Sequence, residues 1–108
     1  MNTIKEVFGN IDDQIENLIA VKGDAYGKSV GFIASFCSVG DSLMSILATD
    51  GAEQKTVDKI AIVLDVCAGH ITLAYSTALG LTFDQHCEAI DDGQRITLSA
   101  RNHMEHTA

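Results

Sequence analysis

Hydrophobic positions recur along this chain at three- and four-residue spacing, the period of a helix, in four successive stretches. In the first, over residues 3–21, Ile4, Val7, Phe8, Ile11, Ile15, Leu18 and Ile19 form one apolar stripe. Lys5, Asp12, Asp13, Glu16 and Asn17 fall largely off it, which predicts an amphipathic helix. Thr3 and Glu6 have the spacing of a capping box at its start. A break is expected over residues 22–29, KGDAYGKS, where Gly23 and Gly27 supply backbone freedom. The second stretch predicts a helix over 29–48, with Val30, Ile33, Ala34, Cys37, Met44 and Leu47 inward and Ser35, Ser38, Ser42 and Ser45 away from them. Gly31 and Gly40 weaken that helix and leave room for close packing.

The third stretch, residues 57–81 (VDKIAIVLDVCAGHITLAYSTALGL), is apolar almost all round and so predicts a buried helix. Asp50 with Glu53 reads as a capping box ahead of it, and Gly80 as its stop. Thr82 with Gln85 opens a fourth helix that runs to about residue 90 or beyond, where Asp91-Asp92-Gly93 is expected to end it. The polar residues after Gln94, with His103 and His106, are expected to fray. The domain reading is therefore a single helical domain over 1–95 and a polar C-terminal extension or tail over 96–108.

Composition narrows the fold. At 108 residues the chain is one domain. Apolar residues make up 46%, aromatics only 6%, and proline is absent, which favours helices over a strand-and-turn sandwich. The expected class is all-α, an antiparallel four-helix arrangement. So much apolar surface in a short chain points to a homo-oligomer, a dimer or tetramer. The net charge of −8 argues against binding a nucleic-acid backbone or an anionic membrane surface. It suits solubility, and it suits a site that collects divalent cations. Cys37, Cys67 and Cys87 are widely spaced; the first two sit at apolar helical positions, as small buried hydrophobes of a reducing compartment do. The N-terminus lacks a basic segment followed by an apolar run, so a cytoplasmic location is expected. The span from 60 to 81 approaches membrane length, but Asp65, His70 and the hydroxyl residues favour a buried soluble helix.

Three groups could carry chemistry. Asp58 and Asp65 are seven residues apart and share a face of the third helix. If the second helix runs antiparallel, Asp41 faces Asp65 at similar height. Carboxylates from facing helices make an oxygen site suited to Mg²⁺. The plain alternative makes Asp58 a first-turn acid favoured by the helix dipole and Asp65 a hydrogen-bonded structural group. In the second group, Lys22, Tyr26, Lys28 and Ser29 gather at a helix start, where free N–H groups favour phosphate. The GxxxxGK[ST] spacing of a Walker loop is missing, and a plain interhelix turn with Tyr26 in the core is the alternative. The four histidines, His70, His86, His103 and His106, are read as structural or surface residues. Glu88, Asp91 and Asp92 read as a solvated acidic surface.

The segments KGDAYGKS, GDSLMSIL and KIAIVLDVCAGHITLAYSTALGLTFDQHCEAID together resemble small all-α MazG-like proteins of phages and mobile elements, relatives of the all-α nucleoside triphosphate pyrophosphatases. Lys22, Tyr26, Gly27 and Ser29 match a K-x-x-x-YG-x-S turn, and Leu64, Asp65, Ala68 and Gly69 match an LxDLAGYA-like run. The likeness spans roughly residues 15–95. It implies a helical oligomer that hydrolyses a nucleotide between its α and β phosphates with Mg²⁺. It implies that Asp65 and Asp41, the latter standing in for the other motif, hold the metal as the catalytic acids; Asp58, on the same helix face as Asp65, joins them as an expected third Mg²⁺ ligand. Lys22, Tyr26, Lys28 and Ser29 would contact the nucleotide, the lysines at its phosphates and Tyr26 on the base. The family holds its metal with an E-x-x-E and an E-x-x-D helix; here Ile62 stands three residues before Asp65, and only Asp41 stands in for the first motif. The same residues suit a non-catalytic helical module that binds a nucleotide or a protein partner.

Overall fold

A computed structural model describes the backbone of residues 4–107 and the side chains of residues 13–99. Four helices follow one another: α1 (Ile4–Lys22), α2 (Asp24–Thr49), α3 (Gln54–Ala78) and α4 (Phe83–Thr107). There is no strand among the described residues. The sequence-predicted capping box Thr3–Glu6, the first part of the α1 stripe, and the side chains of His103 and His106 lie outside those residues.

The turns differ from their sequence reading in instructive ways. The expected eight-residue break is a single residue: Gly23, at φ 97°, turns the chain and α2 starts immediately after it. Tyr26, Gly27 and Lys28 are therefore helical, not loop. A left-handed φ costs glycine little, so one residue suffices. The Asp50–Glu53 box is not made: Asp50 closes α2, and Glu53 starts α3 without a side-chain cap. The Thr82–Gln85 box is made in full. Thr82 N–H donates to Gln85 Oε1 at 2.8 Å, and Gln85 N–H donates to Thr82 Oγ1 at 3.2 Å.

Helix α2 is central and packs against the other three; α1 and α3 make no contact with each other among the described residues. Ser29 meets Ser76 and Phe32 meets Tyr75, so α2 and α3 run antiparallel. Tyr26 meets Asp92 and Ala34 meets Thr97, so α2 and α4 run in the same direction. This α2–α4 pair is the most extensive packing in the molecule. Gly93 makes it possible: a Cβ there would lie 2.6 Å from Ile33 Cγ2 and 3.4 Å from the Ala34 backbone nitrogen. The expected helix stop is thus a mid-helix contact point, and α4 continues through the expected tail. Ile96 is fully buried and Thr97 nearly so.

The core consists of Tyr26, Val30, Ile33, Ala89 and Ile96, with Ile15, Leu18, Cys37, Leu81 and Ile90 packed around it. It belongs to α2 and α4. The expectation that α3 is buried is overturned: among its described residues only Thr72 and Ser76 are buried, both near its C-terminal end. Ile62 is 64% exposed and Val63 60%, with Val66 and Ile71 also open. Cys67, expected inside, is exposed. The physical reason is placement: α3 lies along α2 and meets α4 only sparsely, so most of its circumference has no neighbour. By length and composition alone, α2 and α3 are both apolar enough to cross a membrane.

Candidate functional site

Two polar assemblies tie the helices together. The first forms at the Gly23 turn. Lys22 Nζ lies 3.4 Å from Glu88 Oε2 and 3.8 Å from Asp92 Oδ2, and 4.7 Å above the centre of the Tyr26 ring. The Tyr26 hydroxyl donates to Asp92 Oδ2, and Arg95 donates to Asp92 Oδ1 at 2.7 Å. Burial pushes the Tyr26 hydroxyl well up, and the Asp92 hydrogen bond and charge push it further. Burial alone would raise the Asp92 carboxyl as well. The hydrogen bonds from Tyr26 and Arg95 and the charges of Arg95 and Lys22 outweigh it, and the carboxyl ends below its ordinary value. Two cations and two carboxylates balance here, so the cluster offers no excess positive charge to a phosphate.

The second assembly is buried and joins three helices. Ser29 Oγ (α2) lies 2.6 Å from Ser76 Oγ (α3), which lies 2.7 Å from His86 Nδ1 (α4). The chain of hydrogen bonds can run in either direction, depending on which His86 nitrogen carries the proton. Burial lowers the His86 pKa, so the ring is held neutral.

Against this geometry the sequence-predicted residues separate. Tyr26 and Ser29 are buried, at 3% and 1% exposure, and their hydroxyls are engaged. Lys22 is held by acids. Lys28 is exposed and points to a different feature, an open cavity of about 290 Å³ lined by Ile15, Ile19, Gly27, Lys28, Gly31, Phe32, Ser35 and Tyr75. Asp41, Asp58 and Asp65 are all exposed. Asp58 accepts a hydrogen bond from Gln54 Nε2 at 2.8 Å. Seven residues of helix separate Asp58 from Asp65 by about 10 Å. Oxygens sharing one Mg²⁺ lie within about 4 Å of each other, since each is roughly 2.1 Å from the ion. The three carboxylates are not gathered as one group among the described residues.

Asp41 and Asp65 fare better. From the Ser29–Ser76 contact, Asp41 is twelve residues along α2 and Asp65 eleven back along α3, so the two stand level in the hairpin. Cys37, one turn before Asp41, has its thiol pushed up by burial first, against a lowering by a hydrogen bond with Thr97, and then further by the charge of Asp65. Residues from α2, α3 and α4 thus converge around Cys37. No group of three or more metal-binding side chains occurs among the described residues.

Sequence reasoning missed Ser76 and the partnered state of Asp92. The signal for Asp92 was present: Glu88, Asp92 and Arg95 share one helical face, which is visible only if α4 is carried past Gly93. Ser76 carries no sequence signal that sets it apart from its neighbours. Compared with models of protein families, with curated proteins and with solved structures, the chain matches none.

Proposed function

We propose that this chain is a MazG-like helical module that works by binding rather than by hydrolysis, as an assembly of copies joined through the α2–α3 hairpin. The observation that carries this reading is the unpartnered apolar surface of the hairpin. Val39, Leu43 and Ile46 recur at helical spacing on α2 and are exposed. Carrying the Ser29–Ser76 register up the hairpin sets them level with the α3 segment around residues 60–67, where Ile62, Val63 and Val66 are exposed too. Six half-open aliphatic side chains expose on the order of 500 Å² in sum over the two helices, where the largest single apolar patch on a monomer is ~300–600 Å². That is over half of the ~800 Å² each partner contributes to a standard interface. A second copy suits this surface better than a bilayer, because Asp41 and Asp65 stand mid-hairpin, where hydrocarbon would charge ~2.5–3.5 kcal/mol for each.

Sedimentation equilibrium tests the reading. The wild type should associate, and Val63→Glu should yield a folded monomer. With Cys87, which is also exposed, replaced by serine, a bis-maleimide should link two Cys67 thiols, and the further change Cys67→Ser should abolish the link. A wild type that stays monomeric at tens of micromolar overturns the assembly.

A second reading keeps the pyrophosphohydrolase, and the level placement of Asp41 and Asp65 favours it. Two carboxylates with water are a sufficient Mg²⁺ anchor when substrate phosphates complete the shell. The ion, when bound, would polarise a phosphoryl group. Thermal unfolding with and without Mg²⁺ across ribo- and deoxynucleoside mono-, di- and triphosphates, with pyrophosphate release measured alongside, decides between the two. A Mg²⁺-dependent shift without release supports binding alone, and release that disappears in Asp65→Asn supports hydrolysis.

A further inference from the structure

The cavity between α1, α2 and α3 lies apart from both polar assemblies and from the open hairpin face. Its walls are apolar: Ile15 and Ile19 from α1 and Phe32 from α2. Tyr75 of α3 adds a second aromatic ring, with its centroid 4.5 Å from that of Phe32. The space exists because two glycines stand one turn apart on α2. A Cβ on Gly27 would collide with Ile19, and one on Gly31 would reach Ile15 at 3.4 Å. Side chains from α1 thus fill one position and leave the other open.

One charged group lines the cavity. Lys28 is exposed on its rim and has no carboxylate within ion-pair distance among the described residues, whereas Lys22 and Arg95 are both paired. Lys55 and Lys59 on α3 likewise have no ion pair among the described residues, so what marks Lys28 is its place: it is the one cation lining an aromatic-walled hollow in a chain with 15 acidic and 7 basic residues. Tyr75 and Ser35 add hydroxyls at the lining, Ser35 donating its own to the Gly31 carbonyl and keeping acceptor capacity. Apolar walls with a few convergent polar groups are the ordinary build of a small-molecule site. At about 290 Å³ the space lies at the lower limit of such sites, ~300–1,000 Å³, which accommodates one ring and not a whole nucleotide.

We propose that this cavity binds a small monoanion with a single-ring apolar body, the ring against Phe32 and Tyr75 and the carboxylate at Lys28. The site is independent of how the hairpin assembles and of whether a nucleotide binds elsewhere.

Phenylacetate and its neutral isostere phenylacetamide test it, titrated into the full chain and followed by NMR chemical shifts of the Gly31, Phe32 and Tyr75 amides. Saturable shifts at those amides are expected, with phenylacetate bound about fivefold more tightly than the amide, the upper end of what an exposed ion pair supplies. Lys28→Met should equalise the two ligands; Lys28 is exposed, so the fold should be unaffected. Gly31→Leu should abolish both by filling the space, with circular dichroism checking that the helices remain. Three results overturn the proposal: no saturable shift in the wild type, shifts centred away from Gly31, or a phenylacetate preference that survives Lys28→Met. If inorganic phosphate alone reproduces the shifts, the ring contributes nothing and the proposal also fails.

Discussion

The two ends of α2 are similarly apolar and are treated oppositely by the fold. Near the Gly23 turn, Tyr26, Val30, Ile33 and Ala34 are buried. Towards the α2–α3 loop, Val39, Leu43 and Ile46 are exposed. Composition does not distinguish them; neighbours do. The first end receives α4, brought close by Gly93 and carrying Ala89 and Ile96 into contact. The second faces α3, whose own aliphatic residues there are open as well. An apolar stripe states that something must cover it, without stating what. Where the chain supplies the cover, the stripe becomes core. Where it does not, the stripe remains available to a second molecule, and α2 holds both cases within one helix.

The largest expected effect tests whether this contrast is energetic as well as geometric. Ile96→Ala removes a fully buried side chain from the α2–α4 contact and should cost about 2–5 kcal/mol. At roughly 4–8 °C per kcal/mol for a domain of this order, the melting point should fall far enough to be plain in a thermal scan. Val63→Ala on the open hairpin should change monomer stability by no more than about 0.5 kcal/mol. Its effect should grow with protein concentration if copies meet there, because association stabilises by mass action. Equal losses from the two substitutions at low concentration would dissolve the distinction between the two ends.

Next in size is the buried chain Ser29–Ser76–His86. Ser76→Ala leaves two buried partners unmatched and should cost about 1–3 kcal/mol. The chain also sets a pH dependence. The folded His86 has a pKa below its ordinary value of 6.5, so the unfolded state takes up protons first as pH falls. His86 therefore contributes its full stability above pH 6.5, and that contribution is lost progressively below it. Asp92, held below its ordinary 3.8, adds a second loss as pH falls through and below that value. Urea unfolding at a series of pH values should show both steps, and His86→Gln should remove the first. An unchanged first step in that variant would take His86 out of the account.

These residues also mark how far the sequence could be read. Four helices follow from periodicity, and the Thr82–Gln85 box and the Gly80 stop were legible because each acts within a few residues. Burial was not legible for α3. A helix apolar all round reads as buried on the assumption that the chain has enough neighbours for it, and of the three other helices only one lies along α3. Gly93 was read as a stop because, locally, Asp-Asp-Gly is one. Its tertiary use, admitting Ile33, leaves no local trace. For the candidate site, the level placement of Asp41 and Asp65 follows from helix lengths alone. The separation of Asp58 from Asp65 follows from helical rise. Tyr26 in the core was one of two readings left open, and its bond to Asp92 and that of Ser29 to Ser76 required knowing where α4 and α3 lie.

The glycines sharpen the same comparison through the sign of an effect. Alanine in place of a helical glycine gains about 0.5–1 kcal/mol of backbone entropy wherever the added methyl fits. Gly40 has nothing within 4 Å of that position, so Gly40→Ala should stabilise by about that amount. At Gly93 the methyl meets Ile33 and the Ala34 backbone, and overpacking of that kind costs about 1–3 kcal/mol. Gly93→Ala should therefore destabilise on balance. Denaturant midpoints of the two variants, measured side by side, should move in opposite directions. Movement in the same direction would mean that α2 and α4 are not in close contact at Gly93.

The smallest expected effect concerns the polar cluster, where Lys22 is the member to remove. Its distances to Glu88 and Asp92 are long for ion pairs, and its side chain is well exposed. An exposed pair of this kind contributes about 0–1 kcal/mol. Lys22→Met deletes the charge and with it the ammonium above the Tyr26 ring, so the loss should stay within about 1 kcal/mol and shrink in high salt. Asp92→Asn reaches deeper, because Asp92 accepts from both Tyr26 and Arg95, and its loss should exceed that of Lys22→Met. A melting comparison at low and high salt separates the two. A Lys22→Met loss larger than that of Asp92→Asn, or one that persists in salt, would make Lys22 the organising member and reopen the case for it as a phosphate contact.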